Sequence, residues 1–214
     1  MSEIASGFTQ PAMGEGPSLA RSGLLAARDL VEVRFAGTAE QGVILMGVVL
    51  AMAATRDHRF VAQTQTYGLE EQGGHGHSDV IISDNPVDYP ELQGADLLVA
   101  LCQPAADEYA SLLHPESVFV FDCESVTSPP PFEGTRFGIP FGRLAAEAAG
   151  KGEPAPDLLT LGVVVGISGV VSTESLQKAL SGIAAAGLKE GKKKALAYGL
   201  SLDPSEWRKD GACS

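Results

Sequence analysis

Aromatic side chains are scarce in this chain, at 6% of residues with one tryptophan. A core built from it must therefore be filled by small and aliphatic groups, which suits close packing of helices on a sheet. Basic residues are also in deficit, 15 Lys and Arg against 27 Asp and Glu, for a formal net charge of −12. A field of that sign repels phosphate backbones and excludes nucleic acid as a natural partner. It fits a solvated acidic surface, and also a surface that meets basic faces of other proteins. There are three cysteines, Cys102, Cys123 and Cys213, and no CxxC pair. Four thiolates normally hold an iron–sulfur cluster, so the chain alone cannot carry one. Cys102 and Cys123 each end an apolar run and read as small buried thiols. The odd count, without a disulfide framework, favours a reducing cytoplasm. Residues 1–16 are polar and rich in Gly and Pro, without the apolar stretch of a secretory signal. The longest apolar stretches, such as residues 43–54, are short and glycine-interrupted for a bilayer span. No GxSxG nucleophile elbow occurs.

What remains is 214 residues that are 44% hydrophobic, enough for one α/β domain with a real core. Residues 1–30 read as an arm with a short helix at its end, residues 31–202 as the domain, and residues 203–214 as a polar tail. Residues 31–36 alternate apolar and charged, the pattern of a strand. A tight turn at residues 37–42 leads into a small-residue helix over 43–54. Further strands are expected at 60–65, 79–83, 95–101, 117–122 and 135–139. Helices are expected at 104–113, 140–150, 157–168, 173–183 and 188–200. Ser172 is placed to cap the helix at 173, with Ser175 three residues on. The succession predicts a three-layer α/β/α sandwich with a mixed, mostly parallel sheet and a helical C-terminal third.

Two glycine-punctuated loops stand out. In the first, Gly37-Thr38-Ala39-Glu40-Gln41-Gly42 joins a strand to a helix, where backbone N–H groups at a helix start favour anions. It is not GxGxxG, and Glu40 puts negative charge where a phosphate would sit. The second runs from Tyr67 to Ser78 and holds four glycines, Gly68, Gly73, Gly74 and Gly76. Polar and ionisable groups crowd there between apolar strands, as in many binding loops. His75 and His77 would share one face if extended. That suits a metal pair, or two histidines in hydrogen bonds, and no third ligand at a suitable spacing favours the second reading. The Lys192-Lys193-Lys194 run reads as a solvated helix end, or a dock for an acidic partner.

Taken in order, these segments resemble the γ subunit, or γ domain, of the 2-oxoacid:ferredoxin oxidoreductases. That family shows a GxGGQG-like loop before a small-residue helix, then a YGxExRGG-like loop, then a strand closed by Ser-Asp. The corresponding segments here are residues 37–42, Tyr67-Gly68-Leu69-Glu70-Glu71-Gln72-Gly73-Gly74, and Asp79-Val80-Ile81-Ile82-Ser83-Asp84. Residues 95–101, the Ile139-Pro140 junction, residues 157–162 and residues 194–199 match further, so the resemblance spans about 31–200. It implies a multi-subunit enzyme that decarboxylates a 2-oxoacid oxidatively to an acyl-CoA. Thiamine diphosphate and [4Fe-4S] clusters would sit in partner subunits, alpha, beta and a ferredoxin-like delta or their fused equivalents. This chain would be catalytically silent alone and help form the coenzyme A site or a subunit interface. Gly37, Thr38, Gln41 and Gly42 would then be a ligand-facing turn, and Tyr67, Glu70, Gln72, Gly73 and Gly74 the opposing loop. Ala39-Glu40, Gln72 and Asp157 depart from the family pattern and remove groups that would suit an anion. Two other readings stay open: a free-standing Rossmann-like nucleotide-binding protein, and a purely structural assembly subunit.

Overall fold

The strands fall into a sheet because their apolar positions repeat with the two-residue period of extended chain. The computed structural model describes residues 22–66, 74–184 and 190–208. Its strands are β1 (Leu30–Thr38), β2 (Phe60–Thr66), β3 (His75–Ser83), β4 (Ala95–Ala100), β5 (Leu113–Asp122) and β6 (Thr135–Ile139). They form one six-stranded sheet in the order β2-β3-β1-β4-β5-β6. β1, β4, β5 and β6 run parallel, whereas β3 is antiparallel to both β1 and β2. The mixed sheet thus has a parallel half and an antiparallel half that meet at β1.

The helices are α1 (Val43–Arg56), α2 (Gln103–Tyr109), α3 (Phe141–Ala149), α4 (Pro156–Ser168), α5 (Thr173–Ala184) and α6 (Glu190–Ser201). One face of the sheet carries α1 and α3–α6 over a large aliphatic core, including Val33, Phe35, Leu97, Val99, Val120 and Leu159. Among the described residues α2 is the one helix on the other face, over Leu98, Ala100, Phe119 and Phe121. The layers are therefore unequal.

Scarce aromatics have the consequence expected of them: elements approach through glycine. A Cβ on Gly162 of α4 would lie 2.5 Å from the Leu196 carbonyl oxygen of α6, and one on Gly199 would lie 2.3 Å from that of Leu159. The two helices cross backbone against backbone. At the start of α5, Ser172 Oγ accepts from Ser175 N (3.1 Å) as the capping pattern predicts. Asp57, at the end of α1, accepts from both Ser172 N (2.6 Å) and Ser172 Oγ (2.7 Å), tying the two helices together.

Several expectations are corrected. β3 begins at His75 and not Asp79, because Gly76 and His77 pair with Gly37 and Ala36 of β1. β5 likewise begins earlier, at Leu113. The described part of the arm forms turns, not a helix: Leu24 N and Leu25 N donate to the carbonyls of Ile167 and Ser168, stitching it to the end of α4. α1 with its preceding 3-10 turn gives an 18-residue helix, Ala39–Arg56, apolar and long enough to cross a membrane. Its Met46, Val49, Leu50 and Ala53 are buried against the sheet and α5, as in a core helix. Cys102 is a free thiol. Cys123 is disulfide-bonded, so the cysteines no longer argue for a reducing compartment.

Candidate functional site at the carboxyl edge of the sheet

β1, β4, β5 and β6 all end on one edge of the sheet, and β3 begins there. Crevices outside the carboxyl ends of strands are where open α/β sheets bind ligands. The first glycine loop stands at this edge. Thr38 ends β1, a 3-10 turn spans Ala39–Gln41, and Gly42 opens α1 at φ +70°, a left-handed conformation that a side chain disfavours. The Gln41 side chain is drawn inward. Its Oε1 accepts from Thr38 N (2.8 Å) and its Nε2 donates to the Leu101 carbonyl at the end of β4 (2.7 Å). Both ends of the carboxamide are thus engaged with backbone, and Gln41 serves the shape of the loop. Ala39 and Glu40 are exposed.

Behind the loop lies Asp157, at the start of α4. A Cβ on Gly42 would fall 2.7 Å from the Asp157 Cβ, so the glycine also makes room for this residue. Asp157 Oδ2 accepts from Lys192 Nζ of α6 (2.8 Å), and Oδ1 accepts from Leu158 N (2.9 Å). The loop, the start of α4 and the start of α6 therefore converge, and a cation stands beside the turn. Of the basic run, Lys192 reaches this edge, while Lys193 pairs with Glu190 (3.4 Å).

The second loop attaches at the same place. Thr38 lies opposite His75, Gly37 opposite Gly76, and Thr66 opposite His77. Gly74 is at this edge, while Tyr67, Glu70, Gln72 and Gly73 lie outside the described residues. His75 and His77 do share one face, the one that carries α2. His75 Nε2 is 2.8 Å from Glu108 Oε2, and His77 Nδ1 is 3.2 Å from the Tyr109 hydroxyl. Both rings stand edge-on to the Tyr109 ring, with centroids 5.6 and 5.3 Å away. Among the described residues, no group of three or more His, Cys, Asp and Glu side chains is placed to hold a metal.

Beside them lies a buried ion pair. Arg34 and Asp79 are directly opposed on β1 and β3. Arg34 Nε donates to Asp79 Oδ1 (2.7 Å) and a terminal guanidinium nitrogen donates to Oδ2 (2.6 Å), a bidentate fork. The guanidinium carbon sits 4.5 Å from the centre of the Tyr109 ring. Burial, with Glu108 beside it, pushes the Tyr109 hydroxyl up to about 12. Burial and then the Arg34 charge push His77 below its ordinary value, so its neutral form is favoured.

Residues 32–201 match the family described as pyruvate ferredoxin/flavodoxin oxidoreductase. The chain belongs to that family. It is 38% identical over 152 residues to the 2-oxoglutarate synthase subunit KorC of Methanocaldococcus jannaschii, covering 70% of this chain and 81% of that protein. The crystal structure of a keto/oxoacid ferredoxin oxidoreductase γ subunit from Geobacter sulfurreducens superposes with a TM-score of 0.66 at 34% identity. That match covers 79% of this chain and 95% of the other. The fold also recurs in the 2-oxoglutarate:ferredoxin oxidoreductase of Magnetococcus marinus, with a TM-score of 0.69 at 21% identity, over 83% of this chain and 32% of that one. The present chain is a γ-type subunit of a multi-subunit 2-oxoacid oxidoreductase.

Within this γ-type subunit, sequence reasoning reached the loops but missed Arg34, Asp79, Glu108, Tyr109 and the role of Lys192. Arg34 sits at a polar position of an alternating strand and reads as solvated. Glu108 and Tyr109 lie at the end of a short helix without distinctive spacing. The one signal available was the pair His75 and His77, whose shared face required partners from another element.

Proposed function

We propose that this subunit forms one wall of the coenzyme A site in an enzyme that converts 2-oxoglutarate oxidatively to succinyl-CoA. The observation that carries the reading is the convergence of the Gly42 turn, the Lys192–Asp157 pair and the flanks of the second loop at one sheet edge. A glycine turn opening a helix, with a cation beside it, suits an anionic acyl acceptor. Thr38, Gly42 and Gly74 are the ligand-facing positions, Gly37 and Gln41 shape the turn, and Tyr67, Glu70, Gln72 and Gly73 supply the opposing wall. The substrate follows the KorC relatives, and the M. marinus structure holds 2-oxoglutarate, coenzyme A and succinyl-CoA. With three cysteines and no CxxC, this chain leaves [4Fe-4S] clusters to partner subunits. Those partners, of alpha, beta and ferredoxin-like delta type, also hold thiamine diphosphate, which supplies the decarboxylation chemistry. The assembly works in the cytoplasm.

The test uses the intact complex, purified through this chain. Acyl-CoA formation is expected with the highest kcat/KM for 2-oxoglutarate among 2-oxoglutarate, pyruvate and branched 2-oxoacids. Gly42→Ala is expected to raise the KM for coenzyme A about tenfold, since left-handed backbone costs about 1–2 kcal/mol for a side chain and Asp157 must shift. An unchanged KM with a lower yield of complex would instead make this chain a purely structural element.

A further inference from the structure

The polar side chains between α2 and β3 close a ring around the end of β1. Thr38 N is held by Gln41, and Gln41 holds the Leu101 carbonyl. Leu101 runs through Cys102 into α2, whose last residues are Glu108 and Tyr109. Glu108 meets His75, and Tyr109 meets His77. His75 lies opposite Thr38 in the β1–β3 ladder, which completes the circuit. The Arg34–Asp79 fork braces the same ladder from below, with Arg34 over the Tyr109 ring.

An apolar contact could cover this part of the sheet, as it does over Phe119 and Phe121. A buried ion pair is weak evidence for stability, and hydrophobic groups of similar volume often do as well or better. What directed polar contacts add is a fixed distance and orientation. Here they fix α2 against β3 at the edge where the glycine turn stands.

We propose that Glu108 and Tyr109 are positioning residues for the acyl acceptor: through His75 and His77 they hold the start of β3 against Thr38 and so fix the turn that ends at Gly42. This rests on the coenzyme A reading above. Neither residue touches the ligand, and their effect passes through the β1–β3 ladder. Glu108 needs only an acceptor oxygen toward His75, which a carboxamide also provides. Tyr109 needs its hydroxyl, while its ring serves the Arg34 contact separately.

The experiment compares four variants in the intact complex: Glu108→Leu/Tyr109→Phe, Tyr109→Phe alone, Glu108→Gln, and Gly42→Ala as a probe of the turn itself. The double variant is expected to raise the KM for coenzyme A five- to tenfold, with kcat and the KM for the 2-oxoacid within twofold. Tyr109→Phe, which keeps the ring under Arg34, is expected to raise it two- to threefold and carries the test if the double variant fails to assemble. Glu108→Gln is expected to behave as the unaltered enzyme. If Gly42→Ala raises the KM for coenzyme A and the α2 variants do not, the positioning role is wrong while the site reading stands. If none of the four moves it, both fall. A uniform loss of kcat in the α2 variants, with Glu108→Gln no better than the double variant, would also overturn the proposal, since a general structural defect has that form.

Discussion

The two halves of the sheet treat the same face differently. Over β4 and β5 that face is Leu98, Ala100, Phe119 and Phe121, closed by α2 and Phe132. Over β1 and β3 it is Ala36 with Arg34, Asp79, His75 and His77, closed by Glu108 and Tyr109 from the end of the same helix. One helix thus rests on oil at one side and on directed bonds at the other. Apolar packing is proportional to area and indifferent to small rotations, whereas bidentate and ring-edge contacts specify an orientation. The directed half is the one beside the glycine turn.

The largest test of this contrast is Phe119→Ala on the apolar side. Phe119 is fully buried, and its loss is expected to lower stability by about 3–5 kcal/mol in denaturant unfolding of the full chain. Next is Asp79→Ala, which strands the Arg34 charge and is expected to destabilise by about 3 kcal/mol, near the lower end for a broken buried pair because Arg34 keeps the Tyr109 ring. Replacing both at once, Arg34→Met with Asp79→Leu, is expected to fall within about 1 kcal/mol of the natural chain. A double replacement as damaging as the single one would mean that the pair itself holds the fold, and the contrast between the halves would fail.

The smallest effect is one of pH. Burial, then the Arg34 charge, holds His77 below its ordinary value against the opposing pull of Asp79 and Glu108, with His75 adding to the lowering. The unfolded chain then binds the proton more readily, so stability rises with pH across that window. The His77 contribution is complete above about 6.5, the ordinary histidine value, and is lost as pH falls from there toward the folded value. His77→Gln is expected to flatten the dependence of the unfolding midpoint on pH between about 5.5 and 7.5. An unaltered slope would assign the pH dependence to another group.

Much of the parallel half was legible in the sequence because its strands are nearly continuous apolar runs. β4 and β6 stand where the pattern places them, as do α4 and α5 to within a residue. In the directed half β1 and β2 were legible too, but the start of β3 and its side-chain partners were not. The segment His75-Gly76-His77-Ser78 has low strand propensity and reads as loop, yet the ladder with residues 35–38 extends it. Here tertiary pairing overrides local preference. The glycine turn was visible as punctuation, but not its shaping by Gln41, nor Lys192 beside it. Both depend on segments far apart in the chain, Leu101 just after β4 and Lys192 from α6.

The backbone-to-backbone crossing of α4 and α6 sets a rule for how such a subunit can diverge. Gly162 and Gly199 each face a carbonyl oxygen of the other helix, so neither can accept even a methyl group while the spacing holds. A change at one position displaces the whole of α6, and Lys192 travels with it away from Asp157 and the turn at Gly42. A library that randomises the helical third should keep the two glycines constant and will find its freedom on the outer surfaces of α5 and α6.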